Sequence, residues 1–186
     1  MTTGRIDRSV SVVTASALSL VVVAPLIIPL LAAYLLRWNQ FTFSLNGRTM
    51  LIGLFILVAG VLVHEGLHAL GWMIFGRVPA SDIHIGMQWK WLTPYAHLRR
   101  PLAAGPYRAG ALLPCLVLGV LPGVIAVLNG SPAWLAFALV FILGAGGDLL
   151  ILWMIRDLPA GTLVEDHPTR AGCYVLTDTL PGGERA

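Results

Sequence analysis

Between Arg108 and Arg156 a single charged side chain, Asp148, interrupts an otherwise apolar and small-residue stretch. No water-exposed surface can be built from such a run, whereas a bilayer accepts it as helices whose backbone groups bond internally. The rest of the chain agrees. Hydrophobic residues make up 57% of it and charged residues 11%, where a soluble domain carries roughly 25% charged residues. Lipid is therefore expected to solvate much of the molecule.

Crossing the hydrocarbon takes roughly 20 apolar residues. Four segments qualify, at about 13–36, 50–75, 109–128 and 133–155, the last two divided by the turn signal Asn129-Gly130-Ser131-Pro132. The first follows Arg5 and Arg8 but is longer than the 7–15 residues of a signal-peptide core, so it is expected to be a retained span. The expected architecture is an all-α polytopic membrane protein. One transmembrane domain covers 1–160, and a soluble tail of 161–186 follows, disordered at its last few residues. Between spans two and three, residues 82–92 partly alternate apolar and polar. With a turn at Thr93-Pro94 and a return over 95–98, they predict a short β-hairpin at the membrane surface, anchored by Trp89 and Trp91.

Lys and Arg set the orientation. Arg5, Arg8, Arg77, Lys90, Arg99, Arg100, Arg108, Arg156, Arg170 and Arg185 fall on one side of a four-span arrangement, and Arg37 and Arg48 on the other. The asymmetry predicts that both termini are cytoplasmic in a multi-pass protein of a prokaryotic cell membrane. No basic run interleaved with aromatics suggests a nucleic-acid partner. Cys115 and Cys173 are too isolated for a disulfide framework or a cysteine metal site and read as unpaired thiols.

Inside the four spans the ionisable side chains are His64, Glu65, His68 and Asp148. Each central charge costs at least ~2.5–3.5 kcal/mol unless it faces the bundle interior and is paired or metal-bound. His64-Glu65-Gly66-Leu67-His68 is an HExxH pattern, expected by chance roughly 0.002 times in a chain of this composition. On a helix the two imidazoles at i and i+4 share a face and can hold one Zn²⁺. Glu65, about 100° further round, reaches a water beside the metal and is the candidate base. Asp148 is the remaining intramembrane candidate for a third ligand, and its depth in span four matches that of His64 in span two. A proton-relay carboxylate or an outer partner of a histidine are the alternative roles. Gly144, Gly146 and Gly147 precede it and are expected to let helices approach. Gly119 and Gly123 have a small-xxx-small spacing that fits close packing. His84, His97 and His167 lie outside the spans and read as surface or interfacial histidines, with a fourth metal ligand in a closed resting state as the alternative role for each.

His64-Glu65-Gly66-Leu67-His68 in one apolar helix and Gly147-Asp148 in another resemble the site-2-protease-like intramembrane zinc metalloproteases. The chain is more similar still to a bacterial and archaeal membrane family described as zincin peptidases. Arg108 and Pro114 before and within an apolar segment, then Asp166-His167-Pro168 and Gly172 after the last span, extend that resemblance over about 51–175. It implies zinc ligands at His64, His68 and Asp148, one Zn²⁺ per chain, and Glu65 as the catalytic residue. The Gly-Gly-Asp-Leu around Asp148 departs from the Asn-Pro-Asp-Gly or Leu-Asp-Gly of site-2 proteases proper and lacks the asparagine that would help hold substrate there, so the resemblance carries over the zinc triad and not the details of substrate engagement. The expected activity is hydrolysis of peptide bonds in membrane-embedded or membrane-adjacent proteins or peptides, the hairpin accepting an unwound substrate strand. A catalytically silent metal-binding scaffold would use the same ligands. A transporter or metal sensor fits less well, because four spans show no inverted repeat.

Overall fold

The computed structural model describes residues 2–40, 42, 46–88 and 93–179. Trp89 and Trp91, expected as interfacial anchors, lie outside the described residues, as do the last residues of the tail.

The chain starts with strand β1 (Thr2–Val10) and passes directly into helix α1 (Val12–Trp38). Ser11 caps that helix, its hydroxyl accepting from the Thr14 backbone N–H and satisfying one of the N–H groups a helix start leaves unpaired. Helix α2 (Gly47–Gly76) begins with a reciprocal box between Asn46 and Thr49, and ends where Arg77 turns left-handed at φ 51°. Outward-facing Leu51, Phe55 and Ile74 are exposed on it, as a lipid-facing surface requires.

The third apolar segment is one helical rod from Ala104 to Asn129 with a defect inside. Helix α3 (Ala104–Pro114) runs into a π-helical stretch (Cys115–Val120) and then helix α4 (Leu121–Asn129). Pro114 and Pro122 flank the stretch, and the Leu121 N–H reaches back to Leu116 O in place of the carbonyl four residues earlier. The rod starts at Ala104, not near 109. Arg108 therefore lies within the helix, where its guanidinium donates to the carbonyls of Ile155 (3.3 Å) and Arg156 (3.4 Å). The fourth segment is broken. Helix α5 (Pro132–Gly144) and helix α6 (Gly146–Met154) meet at Ala145 with a bend of 44°. Among the described residues, three helices are thus long and apolar enough to cross a bilayer, and a fourth crossing exists if the bent pair counts as one span.

The hairpin is present as β2 (Ile83–Gln88) and β3 (Thr93–Leu98), antiparallel with Ile83 opposite Leu98 and Met87 opposite Pro94. Thr93 and Pro94, expected to turn, are the first residues of β3, a strand position that tolerates proline. The molecule is mostly helical but not all-α. A second antiparallel sheet, in the order β1-β6-β5-β4, joins β4 (Leu102–Ala103), β5 (Leu163–Asp166) and β6 (Ala171–Thr179) to the N-terminal strand. Ile6 faces Val175 and Ser9 faces Gly172. Gly172 sits at φ 138°, and a Cβ there would lie 2.2 Å from Arg8 O, so only glycine permits this pairing.

Sheet and helices share a core of Trp72, Val78, Leu98, Leu102, Tyr107, Ile155, Val164 and Val175. Arg8 fastens the sheet to α6, donating to Met154 O (3.1 Å) and to both carboxylate oxygens of Asp157 (3.0 and 3.3 Å). Arg8 and Arg108 thus both bind carbonyls at the end of α6, where the helix dipole favours cations. At the opposite end Tyr34, Ala126 and Leu135 form a smaller core, with Tyr34 OH donating to Gly130 O at 2.8 Å. Both cysteines are free and buried; burial, with the Asp166 carboxylate nearby, pushes the Cys173 thiol up to about 12.

Glycines set the helix contacts, though not all where expected. Gly144 and Gly147 face open space, and Gly146 packs against Ser19 of α1. Gly119 packs on Ile142 and Gly123 on Leu30. Two helix backbones come into direct contact at Gly71 on α2 and Gly110 on α3, where a Cβ on Gly71 would lie 2.6 Å from Gly110 Cα.

Candidate metal centre

The HExxH turn lies in the last half of α2, with His64 and His68 both buried among the helices. Their rings lie edge to face, centroids 4.9 Å apart, as one helical turn between them dictates. Asp148 meets them from the first turn of α6. The break at Ala145 makes that possible: it starts a new helix three residues before the carboxylate, whose charge then sits at the favourable end of the helix dipole. His64 Nε2 lies 3.1 Å from Asp148 Oδ2, and His68 Nε2 lies 3.4 Å from Asp148 Oδ1.

The donor set can be tested against a metal. One ligand atom from each of the three residues falls within 4.8 Å of the others. Ligands held tetrahedrally at 2.0–2.1 Å are separated by roughly 3.3 Å, close to both His–Asp distances. His68 supplies a second sign. Its Nδ1 donates to Gly110 O at 3.1 Å, fixing the tautomer that leaves Nε2 as a lone-pair donor, the usual outer-shell arrangement of a metal-binding histidine. His₂Asp is a set that suits zinc.

Gly110 can offer its carbonyl because α2 and α3 touch at Gly71. Beyond His68 the aromatic rings continue, Trp72 stacked at 5.6 Å and Tyr107 on Trp72 at 6.0 Å, with Trp72 Nε1 donating to Tyr107 O at 3.3 Å. Tyr107 OH in turn donates to Asp166 Oδ1 at 2.6 Å, and Asp166 Oδ2 accepts from the Leu98 backbone N–H at 3.0 Å. One carboxylate of the segment after the last span therefore ties α3 to the hairpin.

Glu65 does not join the three-residue cluster. Its carboxylate faces the backbone N–H of Ala96 on β3, and it lines a cavity of about 690 Å³ together with His68 and Asp148. The hairpin forms one wall of this cavity through His84, Tyr95 and His97, and the turn at 166–172 forms another. All three histidines outside the spans, expected at a surface, therefore lie on the wall of the same cavity. His167 is committed to its turn: Nδ1 accepts from the N–H groups of Thr169 and Arg170, and Nε2 meets Tyr174 OH at 3.0 Å. His84 Nδ1 lies 3.5 Å from Arg99 Nη2. In the sequence Asp166 is marked only as part of the Asp166-His167-Pro168 pattern, and Tyr107 only as the neighbour of Arg108; that the two connect α3 to the hairpin is not legible there.

Comparison with known proteins bears on this site. The family described as "Putative zincin peptidase" matches residues 55–163, which covers α2 from before the HExxH turn, the hairpin, α3 to α6 and the first residue of β5. A protein of Pyrococcus woesei described as "Uncharacterized 24.7 kDa protein in gap 5'region" is 26% identical over 142 residues. That alignment covers 74% of this chain and 61% of the relative, so the chain spans about three fifths of the length of that curated relative. No solved structure matches.

Proposed function

The chain belongs to the zincin peptidase family whose model matches it over 55–163, and on that premise we propose that it is a multi-pass membrane zinc metallopeptidase. In this reading His64, His68 and Asp148 hold one Zn²⁺, and Glu65 is the base that hydrolyses peptide bonds of membrane-embedded or membrane-adjacent substrates. The observation that carries it is the convergence of three ligand atoms within 4.8 Å at a cavity that Glu65 also lines.

When bound, the metal supplies Lewis acidity at the scissile carbonyl. The chain's own residues do the rest. Glu65 takes the proton of the attacking water and returns it to the leaving amine. Gly110 O keeps the His68 ring in one tautomer and orientation. The hairpin offers main-chain groups at the cavity wall for an extended substrate segment, which a helical substrate provides by unwinding locally. Four crossings, with α5 and α6 as one bent span, leave the hairpin and both termini on the cytoplasmic side, where Lys and Arg concentrate. The peptide bond is then cut near that face of a prokaryotic cell membrane.

The test uses purified protein reconstituted into vesicles with single-span peptides of defined sequence. Products read by mass spectrometry are expected to form, to disappear with a zinc chelator and to return when Zn²⁺ is restored. A zinc-loaded protein that cuts none of these peptides is a metal-binding scaffold, and the peptidase reading is wrong.

A further inference from the structure

On a second face of α6, a groove of about 420 Å³ opens between α1, the π-helical stretch and α6. Helix α6 is a partition. Asp148 and Ile151 line the cavity that holds Glu65, while Leu149, Leu152, Trp153 and Arg156 line the groove, as their spacings of three and four along one helix dictate. The groove is apolar apart from Cys115 and, at one end, Arg156.

The length of the groove narrows the choice of occupant. Arg8, just before α1, bonds Met154 O and Asp157, and Arg108 of α3 bonds the carbonyls of Ile155 and Arg156. The start of α1, the start of the third rod and the end of α6 therefore lie at one level. From that level Leu149 is seven residues back along α6, Val22 ten residues into α1 and Val120 twelve residues beyond Arg108. At 1.5 Å per residue these are depths of ~10, ~15 and ~18 Å, against a hydrocarbon core about 30 Å thick. The groove thus has the length of one leaflet. A transmembrane helix crosses both leaflets and does not fit that length, whereas an acyl chain runs from the headgroups to the midplane and does.

The polar end suits the rest of such a molecule. The Arg156 guanidinium lies 4.0 Å from the centroid of the Trp153 ring and donates through Nη1 to Trp153 O at 2.6 Å. Its other nitrogens have no hydrogen-bond partner among the described residues, and the neighbouring Asp157 carboxylate is taken by Arg8. Tryptophan and arginine at the end of an apolar surface are residues of the headgroup level, and a guanidinium with open donors binds phosphate.

We propose that this groove binds an anionic phospholipid, one acyl chain lying between α1, the third rod and α6 and the headgroup phosphate resting on Arg156. The lipid supplies the packing that α6 lacks on this face, behind the turn that carries Asp148. A zwitterionic lipid binds less well, because its own ammonium offsets the phosphate. The inference rests on the helices spanning a bilayer and not on peptidase activity.

The experiment places the full-length chain in phosphatidylcholine vesicles in which part of the lipid is brominated phosphatidylglycerol or brominated phosphatidylcholine. Bromine quenches tryptophan on contact, and the Trp153 emission is isolated by subtracting the matching Trp153→Phe protein. Phosphatidylglycerol is expected to bind about fivefold more tightly than phosphatidylcholine, the weight of one basic side chain at a membrane surface. Arg156→Gln removes that preference, and Arg156→Lys keeps most of it. Val22→Phe and Val120→Phe fill the groove from two walls, leave the arginine in place and also remove the preference. Melting temperature in phosphatidylcholine alone identifies which variants are folded. Equal quenching of the wild type by the two lipids overturns the proposal, as does a preference that survives Arg156→Gln. A preference that survives a folded groove-filling variant also overturns it, since headgroups then gather at the surface with no chain in the groove. Absence of quenching by either lipid shows Trp153 shielded by another occupant, such as a protein segment, and overturns it as well.

Discussion

Glu65→Gln is expected to lower peptide hydrolysis roughly 10²–10⁴-fold, the usual contribution of a positioned general base, while zinc remains bound. The side chain lies outside the three-residue cluster, so the substitution removes no ligand. Glutamine has nearly the same volume and can still meet the Ala96 backbone N–H through its carbonyl oxygen, so the wall of the cavity should keep its shape. What it loses is the capacity to hold a proton between the attacking water and the leaving amine. Turnover on single-span peptides, read beside zinc content, separates these contributions. Unchanged cleavage with zinc still bound would assign the base to another residue.

Gly71→Ala carries the second large effect, and it acts at a distance from the chemistry. The added methyl would sit 2.6 Å from Gly110 Cα and 3.5 Å from Gly110 N. Backbone cannot rotate away as a side chain can, so α2 and α3 must separate. Overpacking of this kind costs about 1–3 kcal/mol. Separation also draws Gly110 O away from His68 Nδ1, now at 3.1 Å. Losing an outer partner of that sort weakens metal affinity about 10–100-fold. The control is Gly66→Ala, in the same helix and between the two histidines, where a Cβ meets nothing within 4 Å. It should be neutral, or stabilising by up to about 1 kcal/mol through helix propensity. Melting in detergent with and without zinc, and zinc titration by calorimetry, distinguish the two variants. Equal behaviour would mean that the α2–α3 contact does not support the site.

The residues that gather at the cluster were readable from sequence because a bilayer makes them conspicuous. His64, His68 and Asp148 are ionisable groups in apolar runs, and the energetic cost of placing them there singles them out by residue type and position alone. The apolar runs themselves located the helices to within a few residues, except where a side chain changed the boundary. Arg108 suggested a start near 109, but the helix begins at Ala104 because the guanidinium is spent on the carbonyls that end α6. The break at Ala145 carries little local signal. Glycine-rich sequence allows it, and only the need to bring Asp148 up to α2 explains its use.

The four-stranded sheet was not legible. β1 and β6 pair residues more than 160 positions apart, Arg8 with Cys173 and Ser9 with Gly172. Each segment alone carries charges and turn formers that read as a terminus. Register here is set by long-range partners, Arg8 on Asp157 and Arg5 on Glu165 at 2.9 Å, which no periodicity within either strand encodes. The same holds for Asp166. Its meaning lies in Tyr107, Leu98 and His97, which come from two other elements.

The central claim is that His64, His68 and Asp148 form one zinc site, and metal content tests it most directly. Detergent-purified wild type, supplied with zinc and measured by mass spectrometry beside Asp148→Ala, is expected to hold about one zinc per chain and the variant close to none, both remaining folded by circular dichroism. A folded wild type that holds no zinc, or an Asp148→Ala chain that holds as much as the wild type, would contradict it.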